Sequence, residues 1–132
     1  MLDSTGIALS GLNAASRRLQ VSSNNVANAF STVQTAKDGT LVNDPYQAQR
    51  VVQSSLEGGG VRAQVVTDPN PTVRVFDPSS SVAAADGTVE APNISLEEEV
   101  VQQQLASYDF QANLKVIKTQ KEMDRALLDI TA

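Results

Sequence analysis

The side chains in this chain that could do chemistry are amides and carboxylates. Asn24, Asn25 and Asn28 stand together in the run Ser23-Asn24-Asn25-Val26-Ala27-Asn28-Ala29. On a helix, Asn24 and Asn28 share one face with Asn25 adjoining, beside the apolar Val26. Each carboxamide carries two donors and two acceptor sites, so the group could fix register at a contact between helices, as a polar residue in a coiled-coil seam does. The alternative is a fraying helix end, where asparagine side chains compete for local backbone bonds. Spacing leaves both readings open. Glu97-Glu98-Glu99 form a carboxylate cluster. Consecutive helical positions point in different directions, so the cluster suits a helix start better than a cation site. Gly58-Gly59-Gly60 lacks the following Lys-Ser/Thr of a phosphate-binding loop and reads as a hairpin turn. The chain contains no histidine and no cysteine. Without them, and without a tight Asp/Glu constellation, the usual general bases, activated nucleophiles and transition-metal ligands are missing. We assign no catalytic, cofactor-binding or metal residues and do not expect an enzyme.

The elements that must position these groups are two long helices and a β-rich middle. The first helix is expected from about Ser4 to Ala29, capped by Asp3 or Ser4. Ala8, Leu12, Ala15, Leu19, Ser22, Val26 and Ala29 recur at a 4-3-4-3 spacing, a narrow stripe of the coiled-coil kind. Its small members let another helix come close. Residues 31 to 44, with Lys37-Asp38-Gly39 and Asn43-Asp44-Pro45, read as a connecting loop. Tyr46 to Val52, Val61 to Val66 and Thr72 to Phe76 read as three short strands of one antiparallel patch, and Ser79 to Gly87 as an exposed flexible loop. The last helix opens at Ser95-Leu96-Glu97-Glu98, a capping box in which Ser95 and Glu98 exchange bonds, and runs to about Ile130. Its acidic start and the later Lys115, Lys118, Lys121 and Arg125 match the helix dipole. A second seam is expected at Leu105, Ala112, Val116, Thr119, Met123, Ala126 and Ile130, broadened by Phe110, Leu114, Ile117 and Leu127. A helix of roughly 50 Å is longer than a domain of this size needs, so it can touch more than one neighbour.

The expected fold class is mostly α with a small β region: long N- and C-terminal helices form an antiparallel coiled-coil-like hairpin, with a short β-rich middle and flexible loops. Residues 1–30 and 95–132 would make the helical domain and 31–94 the insertion. The chain's 132 residues suit a single unit. Alanine and valine supply 32 of its 54 hydrophobic residues and aromatics only five, so little volume is available to fill a core. A net charge of −5 with scattered basic residues argues against nucleic acid or an anionic membrane as partner. No apolar run reaches membrane-spanning length, so no membrane insertion is expected, and the opening residues show no cleavable signal.

Ala8-Leu9-Ser10-Gly11-Leu12-Asn13-Ala14, Arg18-Leu19 and the asparagine run together resemble the N-terminal signature of bacterial flagellar rod and hook proteins. Within that group the chain is most similar to the short proximal rod proteins. The similarity extends through Pro45-Tyr46 with Gln49-Arg50-Val51-Val52, Gly87 to Ile94, and Glu98-Glu99-Val100-Val101, and Gln111 to Ile117 with Thr119 resembles the family's closing helix. Three features depart from the pattern: Val26 stands where isoleucine is commoner, Phe110 where tyrosine is usual, and Asp77-Pro78-Ser79 lacks the frequent His-Pro. The resemblance implies an axial structural protein of the flagellar basal body, exported without signal cleavage and polymerised into the rod that crosses the periplasm. Its implied partners are itself, other rod proteins, and basal-body ring or export-gate components. On this reading the assembly interface comprises Leu12, Ala15, Leu19, Asn24, Asn25, Val26, Asn28, Leu105, Phe110, Ala112, Asn113, Val116 and Met123. A soluble helical adaptor or secretion chaperone is the alternative that would also explain the stripes.

Overall fold

The computed structural model describes residues 4–31 and 46–131. Helix α1 spans Ser4–Asn28 and helix α2 spans Leu96–Thr131. Between them lie β1 (Gln49–Ser55), β2 (Val61–Thr67), β3 (Thr72–Phe76) and β4 (Thr88–Pro92). Asp3 and the 32–44 connection, including Lys37-Asp38-Gly39, lie outside the described residues, as does the side chain of Ile130.

The helices lie side by side and run in opposite directions. The Ser4 hydroxyl donates to Gln120 Oε1 at 2.9 Å, Arg18 reaches Asp109 at 2.6 Å, and the Ser22 hydroxyl donates to the Glu99 carbonyl at 3.0 Å, so rising numbers on α1 meet falling numbers on α2. The contact is built on small residues. Ala8, Ala15 and Ser22 on α1 and Ala106 on α2 are all buried, and a Cβ placed on Gly11 would stand 2.6 Å from Asn113 Oδ1. With so little side chain between them, the two backbones approach closely.

The middle forms two hairpins where the sequence suggested one patch. β1 pairs antiparallel with β2, in the register Val52↔Gln64, and β3 pairs with β4, in the register Arg74↔Glu90. β1 begins later than expected, at Gln49, and β4 was not anticipated. The 77–87 connection, read above as a flexible loop, is pinned by backbone bonds from Asp77 N to Gly87 O at 3.0 Å and from Ala84 N to Thr88 O at 2.8 Å. Asx turns punctuate the strands: Asp68, Asp77 and Asp86 each accept, through Oδ1, the backbone N–H two residues on. The glycine run does close the β1–β2 hairpin. Gly60 has φ +87°, and its missing Cβ leaves room for the Ser10 hydroxyl of α1, which accepts the Val61 N–H at 3.0 Å. β1 and β2 thus lie against α1, while the Pro71 carbonyl ties the base of the second hairpin to the first through Ala48 N and Asn93 N.

The core is thin. Among the described residues, five of the nine buried apolar side chains are alanines (8, 14, 15, 48 and 106), the others being Leu12, Val21, Val89 and Pro92.

Candidate functional site

Asn25 is 2% exposed, and four polar groups surround it. Its Nδ2 donates to the Gln49 carbonyl at 2.8 Å and to Glu99 Oε1 at 2.6 Å. Its Oδ1 accepts from the Tyr46 hydroxyl at 2.9 Å and from the Gln49 N–H at 3.1 Å. Both donors and both acceptor sites are satisfied, which a buried carboxamide requires. One side chain therefore joins α1, the entry to β1 and the first turn of α2. Burial, with the Glu99 carboxylate adding to it, raises the Tyr46 phenol above its ordinary value, so the hydroxyl stays a donor.

The three asparagines thus divide. Asn25 makes its contacts inside its own chain. Asn24 is exposed, and Asn28 is partly exposed with its Nδ2 returned to the Asn24 carbonyl at 2.8 Å, the local backbone bond expected of a helix end. The first-helix stripe divides as well. Leu12 and Ala15 are buried within the chain, Val26 is half-buried and Leu19 is 44% exposed. Ala14 and Val21, absent from the expected stripe, are buried too.

On α2 the expected seam lies on the wrong side for α1. The residues that turn inward are Glu99, Gln103, Ala106, Asn113, Ile117 and Gln120, buried or half-buried at heptad-like spacing, with Phe110 at the margin at 37% exposure. The seam read from hydropathy is displaced from this row by one residue, about 100° around the helix. Of the expected α2 residues, Asn113 and Ile117 turn towards α1, with Phe110 beside them. Leu105, Ala112, Val116 and Met123 face away and are exposed. Val101, Tyr108 and Leu127 extend this outer face, so an apolar stripe runs nearly the length of the helix without cover from its own chain.

Arg18 was missed as a structural residue. It bonds Asp109 Oδ2 at 2.6 Å and Gln102 Oε1 at 3.0 Å, and its side chain is 21% exposed. The available signal was the seven-residue spacing of Gln102 and Asp109, two polar groups on one face of α2. The cap of α2 also differs in detail from the expected box. Ser95 Oγ accepts the Glu98 N–H at 3.4 Å, but the returning carboxylate belongs to Glu97, which accepts from the Ser95 hydroxyl at 3.1 Å. Backbone bonding at the helix start, then Ser95, lowers the Glu97 carboxyl below its usual value. No group of three or more Asp or Glu side chains placed to hold a metal occurs among the described residues. No described helix is long and apolar enough to cross a membrane.

Comparison with known proteins bears on both ends of the chain and on its whole length. Residues 7–33 match the model of the flagella basal body rod protein family, and residues 85–130 match that of the C-terminal region of the flagellar basal body rod FlgEFG proteins. The flagellar basal-body rod protein FlgC of Yersinia enterocolitica is 42% identical over 129 residues, covering 93% of this chain and 92% of the relative. FlgC of Salmonella typhimurium is 36% identical over the same shares. FlgC of Borreliella burgdorferi is 35% identical over 148 residues, covering 98% of this chain and 97% of the relative.

Proposed function

The chain belongs to the flagellar basal-body rod protein family and is a structural subunit of the bacterial flagellar rod; from that premise we propose that α1 and α2 act as an antiparallel coiled-coil-like hairpin whose outer face polymerises helically. In this reading residues 1–30 and 95–132 are the axial unit, and 31–94 are an insertion carried on it. The subunit leaves the cell interior by the flagellar export route without signal cleavage, joins other rod proteins in the periplasm, and transmits torque as part of the drive shaft. Contacts with ring or export-gate components follow from that position.

The observation that carries the proposal is the exposed stripe of α2. Covering Leu105, Val116, Met123 and Leu127 gains roughly 1–2 kcal/mol per side chain, more than the polar inner contact supplies per residue. Leu19, Asn24, Val26 and Asn28 add to the assembly surface from α1, with Ala112 and Phe110 beside the α2 stripe. Leu12, Ala15, Asn25 and Asn113 hold the two helices in the relation that presents it. Heterologous contacts of this kind, repeated without closing, generate a helical polymer. The test is the double substitution Val116→Asp with Met123→Asp. The purified chain should keep its helical circular dichroism and urea midpoint, while cells carrying it should lose swimming and the subunit should be missing from isolated basal bodies. Normal swimming would overturn the proposal.

A further inference from the structure

We propose that α2 of one copy packs on α2 of the next through its outer stripe, the two helices running parallel and offset by about 18 residues, roughly 27 Å. The inference rests on the rod-subunit reading and deepens it by naming the partner surface and its register.

The charges of α2 are segregated along the helix. Glu97, Glu98 and Glu99 open it, residues 100–114 carry Asp109 as their single charge, and Lys115, Lys118 and Lys121 follow with no carboxylate among them. Beyond Lys121 the signs mix, Glu122, Asp124 and Asp129 against Arg125. Glu99 is turned inward to Asn25, and Glu97 is held by the Ser95 hydroxyl. Glu98 is exposed beside the start of the stripe formed by Val101, Leu105, Tyr108 and Ala112, and Lys115 is exposed at the far end of that stripe. At about 100° per residue these two lie about 50° to either side of the stripe's midline, on opposite flanks.

That placement selects an orientation and an offset. Opposite flanks meet across a parallel pair of helices, and like flanks meet across an antiparallel pair. In a parallel pair without offset, the carboxylates of Glu97 and Glu98 from the two copies would face each other. An offset of 17 or 18 residues replaces that repulsion with attraction, setting Glu98 of one copy beside Lys115 of the next. Eighteen residues are five whole turns, so the stripe stays aligned, Val101 meeting Thr119 and Leu105 meeting Met123. The rest of the overlap adds no clash of charge, because Asp109 is already paired with Arg18 at 2.6 Å. The first half of each α2 thus covers the second half of its neighbour. Since the two halves differ, the contact does not close as a two-fold dimer and propagates instead.

The absence of native cysteine makes the test direct. Val101→Cys and Thr119→Cys are placed in separate full-length chains, one of them tagged, which are mixed at concentrations that allow assembly and mildly oxidised. The offset predicts a heterodimer between them. It also predicts a ladder of higher species from the double variant, whose two cysteines lie about 27 Å apart in one molecule and cannot bond each other. Glu98→Lys added to the Val101→Cys chain should cut the heterodimer several-fold, and Lys115→Glu added to its Thr119→Cys partner should restore it. Cross-linking of Val101→Cys to Ala112→Cys instead would show an antiparallel pair, and a preference for Val101→Cys homodimers a pair without offset; either overturns the proposal, as would monomers throughout or a yield indifferent to the charges. If the cysteine variants still swim and enter basal bodies while no such heterodimer forms, the rod reading stands and only this register falls.

Discussion

Asn25 shows how much a single buried carboxamide can organise in a chain with so small a core. Substitution with Ala would leave the Gln49 backbone groups, Glu99 and the Tyr46 hydroxyl without their partner. The expected loss is roughly 2–4 kcal/mol in urea unfolding. Asn25→Asp keeps the shape but sets a carboxylate against Glu99 and the Gln49 carbonyl. It should be comparably destabilising at neutral pH and recover in part in mild acid, as the introduced carboxyl takes up a proton. Asn24→Ala, an exposed change, should alter chain stability by no more than about 0.5 kcal/mol. Tyr46 supplies a second signature. Because burial raises its phenol above the ordinary 10.0, the stability it contributes is complete below that value. It falls as pH rises further, since the unfolded chain ionises first. The difference in urea midpoint between the native chain and Tyr46→Phe should therefore narrow as pH rises past the ordinary phenol value of 10.0. An unchanged difference would remove Tyr46 from the network. The asparagine run was legible as a place of unusual hydrogen bonding. Which amide turned inward was not, because Asn25's partners are Tyr46 and Gln49 on the β1 side and Glu99, far along the chain.

At the scale of elements, the helix pair is governed by size more than by hydropathy. The turn containing Gly11 has no room for a side chain, because Asn113 stands there, held by its own bond from Nδ2 to the Asp109 carbonyl at 2.8 Å. Gly11→Ala should gain about 1 kcal/mol of helix propensity and lose more by displacing that carboxamide. In the Asn113→Ala background the same change should stabilise. A double-mutant cycle in urea should then show a coupling of about 1–2 kcal/mol, and simple additivity would show that the helices do not touch there. The same crowding explains the rotated seam. Hydropathy ranks Leu105 and Val116 above Ala106 and Asn113, but a face lined by Ala8, Gly11 and Ala15 has room only for short or slender groups, and Gln120 and Glu99 in the same row accept bonds from Ser4 and Ser22 across it. β4 escaped notice for a related reason: Thr88-Val89-Glu90-Ala91-Pro92 has one bulky apolar residue and ends in proline, a weak strand signal. Its partner β3 and the Asx turn at Asp86 supply what local propensity lacks.

For the whole molecule, the inner and outer faces of the helix pair make separable predictions. Leu12 is 8% exposed and Met123 is 50%. Leu12→Asp should cost about 3 kcal/mol and unfold much of the purified chain, so lost motility in that variant would report on folding. Met123→Asp should leave monomer stability within about 0.5 kcal/mol and act only on assembly. Equal destabilisation by both would mean that the outer stripe is covered in the single chain. Under the proposed rod assembly, a subunit with few large buried side chains would gain rigidity from the neighbours that cover its outer stripe. By itself the sequence determined the two helices, the glycine hairpin and the terminal signatures of a rod protein, because caps, turn residues and apolar periods act over a few neighbouring residues. Only the tertiary structure decided which side of α2 meets α1, how four strands divide into two hairpins, and where Asn25 points. Those choices depend on close packing and paired polar groups between segments distant in the chain, and local patterns do not encode them.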